Sequence, residues 1–146
     1  MIYILIIIVG LVLDRVTKIY ATNNFIENPV QGPIINLTYL ENRGAAFGIL
    51  QDRRIFFILI TVAIVLYLLY YFYKSYKTNP NILNIALSMI ISGALGNFYD
   101  RLINGYVVDF VEFSFVNFPV FNIADIFVTL GCALMIVYII FVHEDK

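Results

Sequence analysis

Residues 55–72 read IFFILITVAIVLYLLYYF, an unbroken apolar run without a single charged side chain. A helix needs about 20 mainly apolar residues to cross a hydrocarbon core roughly 30 Å thick. The run therefore predicts a membrane span that mostly faces lipid. The whole chain agrees: of its 146 residues 62% are hydrophobic and 13% charged, and its mean hydropathy is +0.89. Soluble domains run at about 45–50% apolar and about 25% charged. A water-soluble globule and a disordered chain are excluded. The formal net charge of −1 leaves no basic field for nucleic acid.

Toward the C-terminus, residues 126–142 form a second uncharged run, extended backward by residues 118–125. Residues 82–99 are apolar but punctuated by Asn84, Ser88, Ser92, Gly93, Gly96 and Asn97. Within this set Ser88, Ser92 and Gly96, four apart, give a small face on which another helix can pack closely. At the N-terminus, the apolar run 2–13 continues through Asp14, Arg15 and Lys18 to about residue 21. It lacks the positive start of a secretory signal and no small-x-small cleavage site follows, so it reads as a retained helix. The expectation is an all-α polytopic membrane protein, one membrane domain over residues 1–146. Its four transmembrane helices fall at about 2–21, 55–73, 82–101 and 120–142.

The connections differ in kind. Residues 74–81 are a short polar turn, and Tyr70, Tyr71, Tyr73 and Tyr76 with Lys74 mark a water boundary there. Residues 22–54 hold Pro29, Gly32, Pro33, an extended-looking stretch at 34–40 and a glycine-rich motif. They read as a small β-rich cap on the membrane surface. Residues 103–117 are too rich in special residues to be a mere connector. Four spans place both termini on one side and the two long connections on the other. Lys74, Lys77 and Lys146 fall on the first side and Arg43, Arg53, Arg54 and Arg101 on the second. Several of those cations sit among acids, so the positive-inside rule does not set the orientation.

Ionisable groups inside a membrane cost roughly 2.5–3.5 kcal/mol each on insertion scales and need a reason. Asp14 and Lys18 lie on one helical face and can pair. At about 1.5 Å per residue, Asp14 and Asp125 each lie roughly 10 Å from the long-loop side. Asn97, Asp100 and Arg101 close the third span at that side, with Asp100 a ready partner for Arg101, and Asp109 can fold back to meet them. Interhelical glue explains one pair, but not so many carboxylates at one depth. The single His, His143, stands beside Glu144 and Asp145 and reads as a solvated tail; the single Cys, Cys132, reads as packing. Nucleophilic triads, zinc hydrolysis and disulfides fail on that inventory, and neither metal nor cofactor is expected. What remains is a pair of carboxyls that share a proton, activate water against a peptide carbonyl and protonate the leaving amine. Asp109 and Asp125 are the best placed. The rivals are a proton-coupled small transporter with Asp14, Asp109 and Asp125 as relay, and a non-catalytic assembly factor.

Five segments in order carry a resemblance: DRVTK (14–18), NRGAAFG (42–48), GALGNFYDR (93–101), VVDF (107–110) and FNIAD (121–125). The chain resembles the lipoprotein signal peptidases, or signal peptidase II, bacterial membrane aspartyl proteases, over nearly its whole length. The resemblance implies removal of signal peptides from prolipoproteins that carry a diacylglyceryl group, with the cut just before the lipidated Cys. It implies Asp109 and Asp125 as the catalytic aspartates. Asn42, Gly44, Asn97, Arg101 and Asn122 would line or order the site, and Asp14 and Lys18 would be a structural pair. It further implies a four-helix unit with a β-rich extracytoplasmic cradle, in the bacterial cell membrane. Its termini would be cytoplasmic and its site near the outer leaflet. Membrane lipid and the prolipoprotein are the expected partners of a chain expected to act as a monomer, a state the sequence itself does not set. One departure is Ser92 before Gly93, where a Gly-Gly pair is common. On this reading residues 55–72 offer a lipid-like wall to acyl chains, and the loop at 42–48 passes close to the peptide or acts as a lid.

Overall fold

The computed structural model describes residues 1–44 and 50–141. Helix α1 covers Ile2–Asn24, strand β1 Ile35–Asn42, α2 Arg54–Ser75, α3 Asn81–Ile103, strand β2 Val107–Phe113 and α4 Ile123–Phe141. Of these helices α2, α3 and α4 are long and apolar enough to cross a membrane. Helix α1 is as long as α3, with 23 residues, but Asp14, Arg15 and Lys18 interrupt its hydropathy. Helix α4 starts at Ile123, later than the expected 120. Phe121 is held back as extended backbone, bridged to Val111, and a capping pair at Asn122 fixes the first turn.

Tyr3 Oη donates to Asn81 Oδ1 at 2.7 Å and Lys18 Nζ to Asn97 Oδ1 at 3.0 Å, so α1 and α3 run side by side in the same direction. Arg54, opening α2, donates from Nε and Nη2 to the Arg101 and Leu102 carbonyls closing α3, both at 2.8 Å. Helix α2 is thus antiparallel to α3. Its guanidinium satisfies carbonyls that a helix C-terminus leaves unpaired. Gly105, at φ +86°, turns the chain out of α3 in the left-handed region where a side chain is strained. Helix α4 packs along α3 and also touches α1, while α2 packs mainly on α3. Helix α3 is the hub, and the start of α1 and the end of α4 at Phe141 lie at the end of the bundle opposite the sheet.

The sheet is a two-stranded antiparallel ribbon of β1 and β2, with Leu37 opposite Val111, Leu40 opposite Asp109 and an irregularity between. The cap expected within residues 22–54 is therefore half built by the connection between α3 and α4. A small core of Ala21, Phe25 and Phe110, with Leu37, Tyr39 and Ile123 against it, clamps the ribbon to the ends of α1 and α4.

In lipid, apolar contact scarcely distinguishes one helix neighbour from another, so polar groups carry specificity. Lys18, fully buried, bridges Asp14 Oδ2 and Asp100 Oδ2, each at 2.9 Å. Arg15 Nη1 holds the other Asp100 oxygen at 2.8 Å. The remaining Asp14 oxygen accepts the Ala124 N–H of α4 at 3.1 Å. Gly96 makes room for this: a Cβ there would stand 2.6 Å from Asp14 Oδ2. Lys18→Met leaves two buried carboxylates short of a cation, which should cost about 3–5 kcal/mol. The check is reversible unfolding in mixed micelles, with Lys74→Met, at the exposed end of α2, expected to stay near wild type.

Candidate active site

Asp109 sits on β2, and Asn42 is its diagonal neighbour across the ribbon, close enough for side chains to meet. Asn42 Nδ2 donates to Asp109 Oδ2 at 2.9 Å, and Asn122 Nδ2 donates to Oδ1 at 2.6 Å. Asp125 occupies the first turn of α4 with Asn122 just before the helix. The Asp125 N–H donates to Asn122 Oδ1 at 3.0 Å and the Asn122 N–H donates to Asp125 Oδ2 at 3.1 Å. That reciprocal pair is a capping box, which satisfies helix donors and fixes the carboxylate at once. The free oxygen of Asp125 accepts from Asn97 Nδ2 at 2.7 Å. Asn97 Oδ1 in turn accepts from Lys18 Nζ and from Asn122 Nδ2, at 3.0 and 3.1 Å. Asn122 therefore contacts both acids, and the buried ion network behind Asn97 sets which way its amide faces.

Both carboxyls line one cavity of about 670 Å³. Its polar side is Asn42, Asn97, Arg101, Asp109 and Asp125; its walls are apolar side chains of α2, α3 and α4, and Phe113, Phe118 and Phe121 stand at the ribbon. Asp109, only 1% exposed, is pushed up to about 7, first by burial and then by the neighbouring charge of Asp125. The hydrogen bonds from Asn42 and Asn122 pull the other way. The charge of Asp125 is thus felt at the Asp109 carboxyl.

Arg101 does not pair with Asp100. Adjacent helical residues point about 100° apart, and Asp100 turns toward α1, where Arg15 and Lys18 hold it. Arg101 donates from Nη2 to the Gly44 carbonyl at 3.0 Å, and its guanidinium lies 4.8 Å from the Phe57 ring centre on α2. The Gly44 N–H donates to Asn42 Oδ1 at 2.9 Å. Asn42, Gly44, Asn97, Arg101, Asp109, Asn122 and Asp125 thus come together in one hydrogen-bonded constellation, with Asp14 and Lys18 behind it. Asp100 and Arg15 were not among the expected site residues. The signal for Asp100 was its i,i+3 spacing from Asn97, which lets both reach one cation. The rest of the 42–48 motif, with its lid reading, and the tail at His143 lie outside the described residues.

A lipoprotein signal peptidase of Clostridium tetani is 48% identical over 143 residues, covering 94% of this chain and 91% of the relative. One of Clostridioides difficile is 41% identical and covers 100% of this chain and 99% of the relative. A bacterial membrane enzyme solved at 2.3 Å resolution superposes with a TM-score of 0.88 at 38% identity, covering 99% of this chain and 90% of that one. A second, solved at 1.9 Å, gives 0.83 at 39% identity, covering 96% and 93%. The signal peptidase II family model matches residues 6–141, and the chain belongs to that family.

Proposed function

We propose that the chain is an aspartic endopeptidase that removes signal peptides from diacylglyceryl-modified prolipoproteins, cutting before the lipidated Cys. The observation that carries this is the paired placement of Asp109 and Asp125 on one cavity, each fixed by amides and joined through Asn122. Asp109, the more buried acid, holds the shared proton, and Asp125 acts as base. Asp125 takes a proton from water, the resulting hydroxyl oxygen bonds to the scissile carbonyl carbon, and Asp109 protonates the carbonyl oxygen. Collapse breaks the C–N bond as the amine nitrogen takes up a proton from the dyad. Asn42, Asn97 and Asn122 hold the acids in place, and Arg101 orders the Gly44 backbone beside them. No resident metal or cofactor enters this scheme.

The setting in the bilayer belongs to the same proposal. Helix α1 spans as a fourth helix, because Asp14 and Lys18 pair on its buried side, Asp100 of α3 meets both Lys18 and Arg15, and Ile4, Ile8 and Val12 on its outer side are exposed. The chain then forms a single membrane domain, with cytoplasmic termini and the dyad close to the outer leaflet. It acts as a monomer on substrates already anchored in lipid. The wall given by α2, of which only Val65 is buried, faces the acyl chains. The transporter reading is not favoured: along α2 from residue 55 to 72 no charged group continues a relay toward the far side.

Asp109→Asn and Asp125→Asn should each leave a folded, inserted protein and lower kcat by about 10³-fold or more. The assay is cleavage of diacylglyceryl-modified prolipoprotein by purified protein in detergent with a metal chelator present, where wild type should stay active. Turnover by either variant at the wild-type rate removes the dyad. The pH profile follows from Asp109, which keeps its proton up to about pH 7. Above that value the acid is lost, so kcat/KM should fall about tenfold per pH unit on the alkaline side, and Asp125→Glu should keep that limb.

A further inference from the structure

A second pocket, of about 270 Å³, opens where the last turns of α1 meet the turn from α3 into β2, and it shares no lining residue with the dyad cavity. Arg15, Thr22, Asn23, Asn104 and Tyr106 supply its polar groups. The Arg15 guanidinium is anchored rather than free. Nη1 holds Asp100, the Tyr99 ring lies 5.1 Å from its centre, and 33% of the side chain stays accessible. Its Nε is buried without an acceptor, and among the described residues its hydrogen bonding ends at Asp100. Nε is closed to any ligand, but Nη2 has no acceptor among the described residues and is not buried, so one guanidinium nitrogen is left open beside a polar pocket.

The surface below this pocket is apolar. Ile4, Ile8 and Val12 precede Arg15 at helical spacing on one face of α1, and they are exposed by 61%, 51% and 54%. The exposed Tyr99 ring lies against Arg15 at the pocket, as aromatic rings do at a headgroup boundary. A cation with an open donor nitrogen, set at the end of an apolar stripe, has the chemistry of a phosphodiester with an acyl chain attached. We propose that this pocket binds the phosphate of a membrane phospholipid, with Arg15 as its donor and Ile4, Ile8 and Val12 along one acyl chain. The inference rests on the reading of α1 as a membrane span, but not on the catalytic dyad. A free anion would use Arg15 and leave the stripe idle, whereas a neutral lipid would use the stripe and leave Arg15 idle.

The test is native mass spectrometry of the delipidated full chain, titrated in turn with dioleoyl phosphatidylglycerol, dioleoylglycerol and inorganic phosphate. Wild type should retain one phosphatidylglycerol per chain, about tenfold more tightly than dioleoylglycerol, and should not be saturated by inorganic phosphate. Arg15→Gln should lose about tenfold in affinity. Asn23→Leu, which leaves the Arg15–Asp100 pair intact, should weaken binding by roughly a few fold, and Lys74→Gln should not change it. Circular dichroism of each variant separates misfolding from lost binding, and cleavage by the same wild-type sample reports the proposed catalysis separately. Folded Arg15→Gln and Asn23→Leu variants that both keep wild-type affinity overturn the site. Equal retention of dioleoylglycerol, or saturation by inorganic phosphate alone, does so too.

Discussion

The Lys18 ammonium is the point on which the molecule turns. It lies fully buried between Asp14 and Asp100 and also donates to Asn97. A lone ammonium in so dry a place would be costly, but two carboxylates and an amide within 3.0 Å satisfy it. The Asp100 oxygen it does not touch is met by Arg15. The cluster is neutral in sum and its members come from α1 and α3, so these two helices fit in one register only. Asp14 extends the same network to the backbone of α4 through the Ala124 N–H. A charge network of this kind adds less to stability than to uniqueness, and uniqueness is what an active site in lipid needs.

The proposed chemistry inherits its geometry from that network by short steps. Lys18 fixes the carbonyl side of Asn97, which turns the amide's donor side onto Asp125. Asn122 closes the first turn of α4 with Asp125 and spends its own amide on Asp109. The same side chains therefore end a helix, dock a ribbon and aim two carboxyls. The ribbon matters because it carries Asp109 out of the helical bundle and over the cavity, and Asn42, its partner from β1, arrives on the other strand.

The sequence made some of this readable and hid the rest for identifiable reasons. Residues 55–72 announced a span because apolar length alone decides it. Asp14 and Lys18 were legible as a pair because four residues make one turn. Asn122 and Asp125 share the FNIAD segment that carries the resemblance, but their capping pair becomes visible only once α4 is seen to start at Ile123. The second strand was not, since Val107, Val108, Asp109 and Phe110 are all buried and so lack the alternation that marks a half-exposed strand. Asp100 misled for a related reason: its chain neighbour Arg101 suggested a pair, yet only the packing of α1 against α3 decides which cation a buried acid meets. The late start of α4 has a more local cause, the backbone bridge from Phe121 back to Val111 on the preceding strand β2.

If two coupled carboxyls are the working centre, the titration of Asp109 is the observation nearest to the claim. Isotope-edited infrared spectroscopy of protein carrying labelled aspartate, with Asp109→Asn as the difference reference, follows that one carboxyl through pH. The account requires Asp109 to hold its proton to about pH 7, and to release it at lower pH once Asp125→Asn removes the facing charge. A carboxyl that titrates near the usual value of about 3.9, indifferent to Asp125→Asn, would contradict it.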